Sequence, residues 1–300
     1  MSSLRERLEK ELNDWRKILP EKWAVNFENV ELDFKSLDYK VKLEDGEKIW
    51  PRLNDPLPGT HLFKAFKELP PEDIRVVIFG NDPYTKERQA TGRSFEQGNL
   101  TNWENDFRFR TRVSPSLQSI LAAAAATNPD NIKYSLIDKR MAYSDYEYEG
   151  LRQPIWFSHV ELARGIADKH IKLPAPDKIF EQWASQGVLW LNRTLTYTKW
   201  DDSHRSVHRQ LWSTFTLKVL ETLVELAKNK PITFVMWGSS ADDLEDEILR
   251  IQVEKSVDLE NIKLVKSGHP QWPAGYFLNG NPLQQINETI MDFDPIIQWT

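Results

Sequence analysis

The stretch that decides how this chain folds is Arg75-Val76-Val77-Ile78-Phe79 followed by Gly80-Asn81-Asp82-Pro83-Tyr84-Thr85. A short β-branched and apolar run bounded by Gly and Pro reads as a buried strand that ends in a tight turn. A carboxylate at the carboxyl end of a buried parallel strand stands at the sheet edge where open α/β folds bind their ligands. Asp82 is therefore a candidate for chemistry. An isolated Asp-Pro is more often simply a turn, so the remainder of the chain has to decide.

Three later runs repeat the pattern. Gly187-Val188-Leu189-Trp190-Leu191-Asn192 is a second strand, with Asn192 at its end. Ile232 to Trp237 is a third, ending at Gly238-Ser239-Ser240, and Ile262 to Val265 a fourth, ending at Ser267-Gly268-His269-Pro270. Helical spacing surrounds them: Leu4 to Leu19, a short helix over 62–69, Pro115 to Ala126, a helix opening at Pro176-Asp177, then 210–228, 241–252 and 283–291. Residues 193–209 read as a polar, basic loop. This alternation predicts a three-layer α/β/α domain around a mainly parallel four-stranded sheet. It spans residues 1–300, with a helical and irregular extension over 1–60 and an insertion at about 127–176 rich in Tyr and Trp. Asp82, Asn192, Ser239 and His269 all end strands, and pattern alone predicts that they share one edge.

Composition narrows the chemistry. The chain has no Cys, which excludes disulfides, thiolate zinc sites and cysteine-held iron–sulfur clusters. The net charge of −6 argues against non-specific nucleic-acid binding, although a local basic face is compatible with it. The start carries no apolar signal-peptide core, and the apolar run from Ile120 to Ala126 is too short to span a bilayer, so a cytoplasmic or nucleoid-associated protein with no membrane contact is expected. His204 and His208, four apart, mimic a metal pair without an evident third ligand. Phosphate contact or a solvated face is the preferred reading, and no metal is expected. Arg108, Arg110 and Arg112 read as a solvated face.

The ordered motifs resemble the uracil-DNA glycosylase superfamily, nearest its uracil-N-glycosylase branch. Gly80 to Thr85 stands where that family has Gly-Gln-Asp-Pro-Tyr-His. Gln89-Ala90-Thr91-Gly92 leading to Phe95 resembles its Gln-Ala-His-Gly segment ending in Phe-Ser. Pro115-Ser116-Leu117, Gly187 to Asn192, Leu195-Thr196, Trp237-Gly238-Ser239 and His269-Pro270-Gln271 follow in family order. The resemblance implies a monofunctional DNA N-glycosylase, without cofactor, that acts as a monomer on DNA with a flipped base. Asp82 would stabilise the sugar cation and orient water, and His269 would hydrogen-bond to the departing base. Phe95 would stack on that base, Asn192 would read its edge, Tyr84 would stand beside C5, and Asn81 would line the pocket. Ser116, Ser239, Gln271, Trp272, His204 and Arg205 would contact DNA, with Trp272 as a wedge.

The pocket rim departs from the family pattern. Asn81, Thr85 and Thr91 replace a Gln and two His, and the loop after His269 lacks the family's Leu. Kept chemistry beside an altered rim leads to the expectation of a modified pyrimidine, such as the glucosylated hydroxymethylcytosine removed by similar anti-phage glycosylases. Uracil repair is the alternative. A non-catalytic binder of damaged or uracil-containing DNA is a further one.

Overall fold

The computed structural model describes residues 2–108, 112–132, 158–238 and 242–300. Ser239, Arg110 and the aromatic residues Tyr143, Tyr146, Tyr148, Trp156 and Phe157 of the expected insertion lie outside the described residues.

Four strands, β1 (Val76–Gly80), β2 (Val188–Asn192), β3 (Ile232–Trp237) and β4 (Ile262–Ser267), form one parallel sheet in the order β2-β1-β3-β4. β1 and β2 pair in register from Val76 opposite Val188 to Gly80 opposite Asn192. Every residue of both strands is buried, and that is why both read as unbroken apolar runs and not as alternating ones. The α/β class and the parallel four-stranded sheet are as the sequence predicts.

The chain divides into two compact units: Met1–Asn99 with Gly187–Phe234 and Ala241–Lys263, and Leu100–Gln186 with Val235–Ser240 and Leu264–Thr300. The first unit holds α1 (Leu4–Leu12), which a Ser3–Glu6 capping box starts. The spacing predicts one helix to Leu19, but the chain breaks at Asn13-Asp14 and resumes as the short turn Trp15–Ile18. Asn and Asp compete for backbone hydrogen bonds and so favour helix ends. The unit's core is aromatic. Phe215 stacks on Phe27 at 4.6 Å between ring centroids and meets Trp15 edge-on at 5.7 Å, with Phe63 and Trp212 alongside.

Phe215 belongs to the long helix Asp202–Leu226. The basic loop expected over 193–209 is therefore shorter, because its second half is helical. Asp201 caps that helix, its Oδ1 accepting from the main-chain N–H groups of Ser203 and His204. The polar first turns hid the helix from apolar spacing.

In the second unit Pro115–Thr127 is a helix capped by Ser114, with Pro at its first position. Its residues from Leu117 to Ala126 are all buried, and the small alanine side chains let the helices His159–Ala167 and Pro282–Ile290 pack on it. Asn281 caps the last of these and donates from Nδ2 to the carbonyl of Ala123 at 2.9 Å. Among the described residues no helix is long and apolar enough to cross a membrane.

Candidate active site

The first unit gathers most of the predicted residues at the ends of β1 and β2. Asn192 lies opposite Gly80. A Cβ on Gly80 would overlap the Asn192 Oδ1 and sit 2.8 Å from the Ser94 Cβ, so the two strand ends approach only because residue 80 is glycine. Pairing continues past the strands: Arg193 and Thr194 donate their N–H groups to the carbonyls of Gly80 and Asn81, each at 2.9 Å. This brings Thr194 beside the turn, where its hydroxyl donates to Asp82 Oδ1 at 2.9 Å. The other carboxylate oxygen accepts from Arg205, at 3.0 Å from Nη2 and 3.3 Å from Nε. Asp82 is thus largely buried with both oxygens engaged. Tyr197, buried and ring-packed on Trp50, has its hydroxyl pKa pushed up to about 12, first by burial and then by the Asp82 charge.

Two ties hold Tyr84. Its hydroxyl donates to the carbonyl of Phe95 at 3.0 Å, and Trp50 Nε1 donates to its carbonyl at 2.8 Å. Phe95 has φ +60, the left-handed region that bulky residues avoid. Its neighbours hold it there. Ser94 donates its N–H to Trp190 of β2 and its hydroxyl to Ile78 of β1. Buried Arg93 pairs with buried Glu96 at 3.4 Å, and Lys64 reaches Glu96 at 3.0 Å. The half-buried Phe95 ring sits edge-on to Trp190 at 6.2 Å.

The two histidines of the helix Asp202–Leu226 are not surface groups, which corrects the expectation of a DNA contact at His204. His204 Nδ1 lies 2.9 Å from Asp201 Oδ1 and Nε2 lies 3.2 Å from the carbonyl of Lys42, so neither ring nitrogen is left for a phosphate. His208 sits between the hydroxyls of Thr196 and Thr198, and burial pushes its pKa down to about 3. The four-residue spacing comes from a helix face turned inward. Among the described residues no three His, Asp or Glu side chains are grouped to hold a metal ion.

The second unit carries His269, Gln271, Trp272 and Ser116. After β4 the chain turns at His269, with Trp272 donating its N–H to the His269 carbonyl at 2.9 Å. The N–H of Gln271 donates to His269 Nδ1 at 3.1 Å. The acceptor at Nδ1 must be unprotonated, so the neutral ring carries its proton on Nε2. Burial lowers the His269 pKa and favours this neutral form. Gly238, with φ +93, supports the ring: a Cβ there would lie 2.9 Å from the His269 Cβ. Trp272 is exposed, and Ser116 is half-buried in the first turn of its helix. Arg108 pairs with Glu104 on the surface, whereas Arg112 binds the fully buried Asp106 at 2.8 Å and is more than the solvated residue its sequence predicts.

Sequence reading missed Thr194, Tyr197, Trp200 and Trp50. Thr194 lies two residues past Asn192, and that spacing was its one available signal. Trp50 and Tyr197 meet across more than a hundred residues of chain, and Trp200 meets Arg205 only because the helix that starts at Asp202 turns the arginine back over its ring.

No family model matches the chain. Among curated relatives, the uracil-DNA glycosylase of Pediococcus pentosaceus is 26% identical over 232 residues, covering 77% of this chain and 73% of the relative. That of Enterococcus faecalis is 25% identical over 281 residues, covering 93% and 90%. Among solved structures, UNG from Nitratifractor salsuginis aligns with a TM-score of 0.60 at 18% identity, covering 96% of this chain and 98% of that one. Mimivirus uracil-DNA glycosylase aligns at 0.54 and 20% identity, covering 99% and 94%. The structural likenesses bear on the fold.

Proposed function

We infer, from the premise that the chain belongs to the uracil-DNA glycosylase superfamily, that it hydrolyses the N-glycosidic bond of a pyrimidine flipped out of DNA. Water adds to the anomeric carbon, the bond to the base nitrogen breaks, and an abasic sugar and free base remain. The reaction so written needs no cofactor. Asp82 stabilises the cationic sugar and aligns the water, and the Nε2–H of neutral His269 hydrogen-bonds to the base oxygen on which negative charge grows. Phe95 stacks on the base, Asn192 reads its edge, and Asn81 and Tyr84 line the pocket. Ser116, Ser239, Gln271 and Arg205 hold the strand, and Trp272 fills the gap the base leaves. The enzyme works as a monomer.

The observation that supports this reading best is the register of β1 and β2. It sets the base-reading amide of Asn192 against Gly80, two residues before the carboxylate. Uracil is the first substrate, because Tyr84 is fixed at both its hydroxyl and its carbonyl and makes a rigid wall against substituents at C5. A modified pyrimidine is the second, favoured by the departures at Asn81, Thr85 and Thr91. Mass spectrometry of bases released from duplexes carrying uracil, hydroxymethylcytosine or its glucosylated form tests both. Uracil release supports the first reading, and release from a modified duplex alone supports the second. No free base from any duplex would overturn the assignment.

A further inference from the structure

The helix that begins at Asp202 brings Arg205 to Asp82, and it does so in an arrangement that does not suit the chemistry. A carboxylate that stabilises a sugar cation acts through its negative charge. Here that charge faces a guanidinium 3.0 Å away. The same guanidinium lies over the ring of Trp200, 4.4 Å from its centroid. Trp200 is 72% exposed, an unusual position for the largest apolar side chain. The Arg205 side chain is 23% exposed, and its Nη1 is 3.9 Å from Asp202, itself fully in solvent. The Arg205–Asp82 pair is largely enclosed, with Asp82 11% exposed, so Arg205 leaves that carboxylate only by passing to another anion. A guanidinium held by carboxylate also matches the fork geometry of a phosphate oxygen pair. An exposed indole beside a cation is the pairing that proteins use to grip single nucleotides, with the base on the ring and the phosphate on the cation.

We propose that Trp200 and Arg205 form a nucleotide subsite for the strand that flanks the flipped base, and that a backbone phosphate bound there takes Arg205 away from Asp82. The inference rests on the glycosylase reading. The open face of Trp200 stacks on a neighbouring base. Arg205 exchanges one anion for another, and Asp82 recovers its full charge only when DNA is seated. Thr194, on the opposite carboxylate oxygen, keeps the side chain aligned through the exchange.

The test is a double-mutant cycle in DNA affinity, read by fluorescence anisotropy on a duplex carrying a tetrahydrofuran abasic analogue. In the native background R205A weakens binding about tenfold and lowers the salt slope by about one. In the D82N background Arg205 has no carboxylate to leave, so R205A costs more there than in the native protein. W200A, a replacement at an exposed position, weakens binding about tenfold in both backgrounds. An R205A loss that is equal or smaller in D82N would overturn the exchange, and native affinity in W200A would overturn the subsite. In single-turnover assays R205A raises the DNA concentration needed for half-maximal rate. A fall in the saturated rate with unchanged affinity would instead make Arg205 a fixed support for Asp82. These outcomes are separate from the glycosylase reading, which fails if the native protein releases no base.

Discussion

The main-chain N–H of Gln271 donates to Nδ1 of His269 at 3.1 Å. This bond fixes which nitrogen of the ring carries the proton, and it exists only while the ring is neutral. Burial holds the His269 pKa below its ordinary 6.5. Base release is therefore expected to be level with pH above about 6.5 and to fall on the acid side, as the imidazolium loses its Nδ1 acceptor. Single-turnover rates across pH 4.5 to 9 check this, and a rate that climbs towards acid pH would contradict it. His269→Ala should lower the rate about a hundredfold above pH 6.5 and remove the fall on the acid side.

Asp82→Asn should lower base release about a hundredfold or more, since the amide carries no charge towards the sugar cation. Thr194→Val removes the hydroxyl that donates to Oδ1. A hydrogen bond to a charged group contributes about 1.5 kcal/mol, so the expected loss is roughly tenfold. The same rate assay reads both, and an unchanged Asp82→Asn protein would remove Asp82 from the mechanism.

Gly80→Ala drives a methyl group into Asn192 and Ser94. Overpacking of this kind costs about 1–3 kcal/mol. The variant should unfold at lower denaturant than the native chain and release base more slowly, because Asn192 must move. Chemical denaturation followed by far-UV circular dichroism measures the first effect.

Tyr84→Ala removes the wall that its hydroxyl bond to Phe95 keeps rigid. Pyrimidines with a C5 substituent, thymine first, should then be released where the native protein leaves them. If the set of released bases does not widen, Tyr84 does not face C5.

His208 makes folding acid-sensitive. Its pKa is pushed down to about 3 in the folded chain, while an unfolded histidine titrates near 6.5. Below pH 6.5 the unfolded chain therefore binds a proton that the folded one refuses, and stability falls by about 1.4 kcal/mol per pH unit towards pH 3. His208→Gln, which can still bond to Thr196 and Thr198, should flatten this slope in urea titrations at pH 4, 5, 6 and 7.

The sheet was legible because buried parallel strands are written as short apolar runs closed by Gly, Asn or Ser, and β1 and β2 follow that pattern closely. The carboxylate, the amide and the histidine were legible as the polar residues that end those runs. What could not be read is how they are held. Arg205 meets Asp82 across 123 residues of chain, and no local pattern encodes such a pairing. The first two turns of its helix carry Asp202, Ser203, Arg205 and Ser206, which look like loop when apolar spacing is the guide. His204 and His208 misled for the converse reason. Polar residues four apart suggest a surface site, and here they are buried struts.

The packing of Trp15 against Phe215 has a practical consequence for anyone who trims the gene. The first sixty residues read as a helical and irregular extension, yet Trp15 and Phe27 plug into the helix that carries Arg205, and Lys42 accepts from His204 at that helix's first turn. A shortened version starting at the Pro56-Leu57-Pro58 connector would strip the aromatic core of the first unit. Expression vectors should keep the chain from its first helix onward.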